Sequence, residues 1–340
     1  MYKYVIVGSG VTGLLLLLML TSIGSVPPSQ ICLIDPHFDG GDLARSWTSV
    51  QSNTPWSKCY LAVQRICPTL PPSPFPMDQP TPLIEIIHFL QGLTRPLLKQ
   101  SRQIQGLVAE ASYDSSNRFW TITTGAGGSL QAQKLLLAQG SEPRALDLPI
   151  PSIPLEIALD STRIRQYLRP SDHVLVFGTM HSGTLILRNA LDCSGVTVTA
   201  FHKQEKPFAF ARDGEYDGIK EESATIADAV LANSYGSRLT LCNVADTSQV
   251  VRNSLKATWA VYAMGFKPRT TIQIRVDGSP LYSPEQYNGA TGALEGAPNA
   301  WGFGIAYPNR APDGLHWDVS VASFVDHILL QKDALLSNLN

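Results

Sequence analysis

The run Tyr4-Val5-Ile6-Val7-Gly8-Ser9-Gly10-Val11-Thr12-Gly13-Leu14-Leu15-Leu16-Leu17-Leu18-Met19-Leu20-Thr21-Ser22-Ile23-Gly24 carries no charge, and its reading decides the fold. By length it fits a membrane-spanning helix, which needs about 20 apolar residues. A secretory leader would also use such a stretch, but behind a basic segment and before a small-residue cleavage site. The internal order argues against both. A β-branched run comes first, three glycines follow at 8, 10 and 13, and a leucine-rich stretch closes the segment. That order is strand, tight turn, helix. Val5-Ile6-Val7 suits a strand buried on both faces of a parallel sheet, and Leu14 to Leu20 suits a helix buried nearly all round.

Gly8, Gly10 and Gly13 stand at G-x-G-x-x-G spacing, with Ser9, Val11 and Thr12 between them. The first glycine permits the turn, the second lets backbone approach a pyrophosphate, and the third lets helix and strand pack closely. The helix N-terminus then faces the phosphates. A second strand, Gln30-Ile31-Cys32-Leu33-Ile34, ends in Asp35 and Pro36, which places an acid about 20 residues on, where the ribose hydroxyls of a dinucleotide need one.

Composition supports this reading. Lys and Arg number 26 against 28 Asp and Glu, and this near-neutral balance argues against a nucleic-acid protein, which would show a basic excess or stripe. Charged residues make up 16% of the 340, below the roughly 25% typical of soluble domains. That length predicts two domains at about 100–200 residues each. Five cysteines, scattered at 32, 59, 67, 193 and 242, form no C-x-x-C and no zinc spacing. They fit free thiols in a reducing, cytoplasmic setting, disfavour a dithiol reductase and leave no metal site.

Further along, seven prolines between Pro68 and Pro82 exclude helix and central strand there. A helix is predicted from about Pro82 to Gln100. Strands follow at 106–108, 119–123 and 134–137, the last two joined by the Gly125–Gly128 turn and the last closing at Ala138-Gln139-Gly140. Prolines 143, 149, 151 and 154 read as an interdomain crossing. Then the opening pattern returns: a strand at 173–177, the turn Gly178-Thr179-Met180-His181-Ser182-Gly183, a helix to about Cys193, and strands at 196–201, 238–244 and 258–263. A helix is predicted at Glu222–Leu231, and a terminal one near Asp318 to Leu330. The fold class expected is α/β, with two nested Rossmann-like dinucleotide-binding domains in a three-layer ββα/βαβ architecture. Residues 1–150 and 271–340 form the first domain, and residues 151–270 form an inserted second one.

Two such units in this order resemble the two-domain flavoprotein oxidoreductases. Trp47, Ser49-Val50-Gln51-Ser52-Asn53-Thr54 and Pro74-Phe75-Pro76-Met77-Asp78 resemble the flavin-containing monooxygenases more specifically. The resemblance implies FAD on Gly8–Gly13, Asp35, Pro36, Trp47 and Ala138–Gly140, and an NADPH unit around Gly178, His181, Ser182 and Gly183. It implies an oxygen adduct at flavin C4a, stabilised by the amide of Asn53, that oxidises a small organic molecule. It also implies that Gly302 and Gly304 approach the cofactor, with His316 or Trp317 near its ring.

Departures from the family pattern are specific. Met180 stands where the second motif has its middle glycine, and a thioether stem there crowds a pyrophosphate. The family's F-x-G-x-x-x-H fingerprint is missing from 153–161, and Asp35 replaces the commoner Glu. An oxidase or dehydrogenase without NADPH, and a non-catalytic flavin protein, therefore stay beside the monooxygenase. Several residues keep two readings. Asn53 either serves the flavin or caps the Ser52–Trp56 turn. His181 either faces a cofactor or is a helix-start residue. Lys203 and Arg212 either bind a 2′-phosphate or are solvated, and Tyr216 to Lys220 either line a substrate mouth or form a plain turn. No nucleic-acid or membrane partner is expected, and the oligomeric state is not legible.

Overall fold

The opening run separates into a strand, Tyr2–Val7, and a helix, Val11–Ser22, joined through Gly8 to Gly10. The computed structural model describes residues 1–208, 216, 219–269, 272–281, 286–310 and 317–337, with backbone alone at 310, 317 and 318. The chain divides into two units. The first comprises 1–48, 55–142 and 267–340; the second comprises 49–54 and 143–266.

In the first unit Tyr2–Val7 lies parallel between Ile31–Asp35 and Ser129–Leu137. Arg102–Gln105 extends the sheet beyond Ile31–Asp35, and Ala300–Gly302 pairs in parallel with Leu135–Leu137. Side chains of the first strand alternate between two cores, as the period-2 geometry of a strand requires. Tyr4 and Ile6 pack with the leucine-rich helix and with helices Trp56–Ile66, Leu83–Gln100 and Val321–Leu330. Val5 and Val7 pack instead on the side chains of a second β layer, among them Ala111, Trp120, Ile122 and Ile274. That layer is the antiparallel meander Val108–Asp114, Phe119–Thr124 and the start of Ser129–Leu137, with Gln273–Val276 added at its edge. Ser129–Leu137 joins both layers because it is long enough: Ser129 to Ala132 pair with the meander, and Ala132 to Leu137 pair with the first strand. The result is the expected three-layer ββα arrangement. Every residue from Val11 to Leu20 is buried, so the uncharged run lies inside a layered core. Among the described residues no helix is long and apolar enough to cross a membrane.

The second unit repeats the parallel part. His173–Phe177 lies between Thr197–His202 and Trp259–Tyr262, with Leu239–Asn243 outermost. In both units the first four parallel strands stand in the order third, second, first, fourth. The Phe177 ring stacks between Phe201 and Tyr262 at centroid distances of 4.9 and 5.3 Å.

Several local expectations change. Trp56–Ile66 is a helix that the sequence reading passed over; its buried Trp56, Cys59, Ala62, Val63 and Ile66 recur at helical spacing, but directly behind Pro55. Asp42–Arg45 forms one helical turn between Gly41 and Ser46. The terminal helix starts at Val321 rather than near Asp318, because the Ser320 hydroxyl caps it by accepting from Ser323 N at 3.1 Å. The proline-punctuated stretch from Pro143 is not a free crossing. Ile153 and Leu155 are buried, Ile153 N donates to Ala260 O at 2.9 Å, and Ala260 N donates to Pro151 O at 2.9 Å.

Candidate cofactor site

The three glycines of the first turn do different work. Gly8 has φ +102°, its N–H donates to Ile34 O at 2.8 Å, and a Cβ there would lie 2.2 Å from Ala138 O. A Cβ on Gly13 would lie 2.0 Å from Gly8 O. Both are glycine because the fold leaves no room. Gly10 has φ −72° and ψ −169°, angles open to any residue, and a Cβ there would meet only Gly40 O at 3.7 Å and Gly41 Cα at 3.9 Å. No clash demands glycine at 10, but its bare Cα lets the Gly40–Gly41 backbone come close, and a side chain longer than a methyl would meet that loop. Beside Gly10 starts a twelve-residue helix with no side-chain cap and no acidic residue in its first turn. Its first N–H groups, from Val11 onward, carry the positive end of the helix dipole.

Asp35 is buried at the end of its strand. Its Oδ2 accepts from Ser9 N at 2.7 Å, and its Oδ1 accepts from His37 N and Phe38 N at 2.8 Å each. A carboxylate offers about four lone-pair directions, so Oδ2 keeps room for one hydroxyl donor. Pro36 O is held by Gln105 Nε2 at 3.1 Å, which fixes the bend after the acid. Ser9 Oγ and Gln139 Oε1 are buried without a hydrogen-bond partner. A buried polar atom left unpaired is costly; here two of them lie in the segments that flank the Gly8–Ala138 contact. Gly304, at φ +83°, comes so near Thr12 that a Cβ would sit 2.4 Å from its Oγ1.

Other members of this cluster were not legible in the sequence. Gly41 backs onto Gly10, and a Cβ on it would be 3.1 Å from Gly10 Cα. Arg269 joins the segments: its Nη2 meets Asp42 Oδ1 at 3.0 Å and its Nη1 donates to Gln139 O at 3.4 Å. Gln139 Nε2 returns a bond to Arg269 O and reaches Tyr307 Oη at 3.5 Å. Gly140, at φ +74°, lies under Arg269 and Asp42, and Trp47 N donates to Asp42 O at 3.2 Å. The Gly40-Gly41-Asp42 loop was visible, but its contact with Gly10 was not; Arg269 offered no signal.

The second turn copies the first at backbone level. Gly178 has φ +107°, a Cβ there would be 2.2 Å from Ala263 O, and a Cβ on Gly183 would be 2.0 Å from Gly178 O. Met180 takes φ −79° and ψ −166°, the conformation of Gly10. His181 and Ser182 open the helix His181–Leu191. Lys203 is exposed, and Tyr216 donates to Asp228 Oδ1 at 2.6 Å. Arg212, Asp217, Gly218, His316 and the Trp317 side chain lie outside the described residues. Asn53 is exposed in the strand Gln51–Pro55, within the segment that groups with the second unit. The expected Ser52–Trp56 turn is instead this strand running into the helix Trp56–Ile66, and its side-chain bonds come from Ser52, whose Oγ donates to Thr54 O at 2.9 Å and accepts from Thr54 N at 3.2 Å. Asn53 takes no part in them.

No protein-family model matches the chain. It is 25% identical over 357 residues to the monooxygenase AgnR1 of Paecilomyces divaricatus, covering 91% of each protein. Among solved structures, the flavin-containing monooxygenase from Stenotrophomonas maltophilia matches with a TM-score of 0.64 at 15% identity, over 98% of this chain and 99% of that one. The bacillithiol disulfide reductase of Staphylococcus aureus matches with 0.64 at 13% identity over 98% of both. OTEMO, crystallised with FAD and NADP, matches with 0.61 at 15% identity over 98% of this chain and 85% of that one. The fold is that of the two-dinucleotide-domain flavoproteins, the group that residues 5–13 and 47–56 resemble.

Proposed function

We propose that this chain is an FAD-dependent oxidoreductase of monooxygenase type, acting on a small organic molecule and holding FAD in its first unit. One observation carries the cofactor: the side-chain-free turn at Gly10, the uncapped helix beside it and the unpartnered Ser9 Oγ and Gln139 Oε1 belong to one turn-and-strand arrangement. Gly8–Gly13 would take the pyrophosphate, Asp35 and Pro36 the adenosine ribose, and Gln139, Gly140, Trp47 and Gly304 the part beyond. When bound, FAD supplies the redox and oxygen-activating chemistry. The protein's share is to hold it, offer hydrogen bonds and exclude water.

The oxygenating character is supported by the relative named as a monooxygenase and by the resemblance at 47–56. On that resemblance Asn53 is the amide that assists oxygen chemistry, and Ser52 leaves it available by making the turn's own bonds. Five free thiols fit a cytoplasmic setting. The first test is the flavin itself: purified protein should be yellow, or become so with FAD, and a colourless protein that binds none ends the reading. Asn53→Ala should then lower turnover several-fold with FAD retained, whereas unchanged turnover returns Asn53 to the turn. Met180 favours a second reading, an oxidase or dehydrogenase without NADPH. Isotope-labelled oxygen appearing in the product would reject that alternative.

A further inference from the structure

OTEMO, which shares this fold, is crystallised with NADP as well as FAD. We propose that in this chain the second unit does not take a pyridine dinucleotide across its glycine turn, because Met180 and the Pro207-Phe208 segment fill the path a pyrophosphate would follow. Every residue involved belongs to the second unit, so the inference stands independently of the FAD assignment; under it, the two electrons that reduce the flavin come from the organic substrate or a separate reductant, not from a dinucleotide on this turn.

Met180 and Gly10 share backbone angles within two otherwise duplicated turns. A Cβ at 180 therefore projects to the same side of its turn as the missing Cβ at 10, the side on which the first unit has only the backbone of Gly40 and Gly41. In the second unit it continues into a thioether that packs on the apolar cluster of Leu185, Phe208, Ile219 and Ile226. Phe208 is fully buried there. The adjoining segment is tied to the turn itself, since the Thr179 hydroxyl donates to Pro207 O. Met180 and its cover thus form one packed body, and admitting a dinucleotide would require Phe208 to leave a closed core.

Two of the turn's side chains, Thr179 and His181, are also committed. Ser223 Oγ donates its single proton to Lys220 O at 2.7 Å. Its 2.9 Å contact with His181 Nδ1 must then be donated by the ring. Burial holds the His181 pKa below the usual imidazole range against the pull of Glu222, and in the neutral ring that this favours, with Nδ1 donating, Nε2 carries a lone pair. A lone pair repels a phosphate oxygen. In the first turn the buried Ser9 Oγ and Gln139 Oε1 are still unpartnered. The second turn has spent the Thr179 hydroxyl and His181 Nδ1 internally, although its helix starts without a side-chain cap as the first one does.

The test is isothermal titration calorimetry of NADP+ and NADPH into full-length protein saturated with FAD. Wild type should bind each more weakly than about 1 mM; tighter binding overturns the proposal. Met180→Gly, at angles glycine accepts, should tighten binding about tenfold or more, and Met180→Leu should not. A folded Met180→Gly protein that binds no better than wild type shows that Met180 is not the obstruction and equally overturns the assignment. The wild-type titration decides even if that variant is unstable. FAD occupancy is read separately from flavin absorbance, so a failed flavin reading and a failed plug give different results.

Discussion

Gly10 is the residue at which fold and function separate. Gly8 and Gly13 are fixed by contacts of 2.2 and 2.0 Å that a Cβ would make with backbone oxygens, so alanine at either should cost the fold. Gly10→Ala meets only ordinary contacts and should melt within a few degrees of wild type. It should nevertheless weaken FAD binding about tenfold, or roughly 1.4 kcal/mol, because its methyl takes up the approach space. Equilibrium dialysis with FAD checks this, and undiminished affinity removes the pyrophosphate from that place. The spacing of the fingerprint was legible because it is local, and so was Asp35, one strand away. Gly41, Asp42 and Arg269 were not, since only tertiary packing brings them to Gly10 and Gln139.

Among the elements, the short terminal helix Lys332–Leu336 shows what a strand pattern conceals. Lys134 sits in a strand that the sequence reads as apolar, yet its side chain is 1% exposed. Its ammonium donates to Ala334 O at 2.9 Å, Leu335 O at 2.7 Å and Ser337 O at 2.7 Å, and Tyr4 Oη adds a 2.7 Å bond to Leu335 O. Burial pulls the lysine pKa down to about 8, while three carbonyls at a helix C-terminus favour the charged form. Lys134→Met keeps the volume and strands those carbonyls, so it should lower stability by about 3 kcal/mol. Urea melts measure it; a loss below about 1 kcal/mol would mean that water replaces the ammonium without penalty. The strands and long helices were legible through their periodicity. Lys134 and the Trp56–Ile66 helix were not, because a buried charge and a helix start behind proline both contradict local preference.

Taken whole, the molecule is two copies of one turn-and-sheet plan, with the same strand order and the same glycine contacts. The duplication was legible because it rests on glycine spacing and β-branched runs, and so was the Met180 side chain in the second turn; its Phe208 cover was not, because folding alone brings the two into one cluster. The first unit also carries a titration that bears on the stability of the whole chain. His327 is 1% exposed in the terminal helix against Phe303, with its Nε2 unpartnered. Burial lowers its pKa to about 4, with a hydrogen bond to the Thr291 backbone opposing. In the unfolded chain a histidine titrates near 6.5. Between those values the unfolded state binds a proton that the folded state refuses, so stability is full above about pH 6.5 and falls as pH drops toward 4. At about 1.4 kcal/mol per pKa unit, the loss from this one group is about 3 kcal/mol. Carboxylates titrate in the same window, so the comparison must be with His327→Gln, which keeps a polar side chain and cannot titrate. Urea melts from neutral pH down to about 4.5 should show the wild type losing about 2–3 kcal/mol more than the variant. Parallel curves for the two proteins would mean that the folded chain accommodates a charged His327, and that the acid sensitivity lies elsewhere.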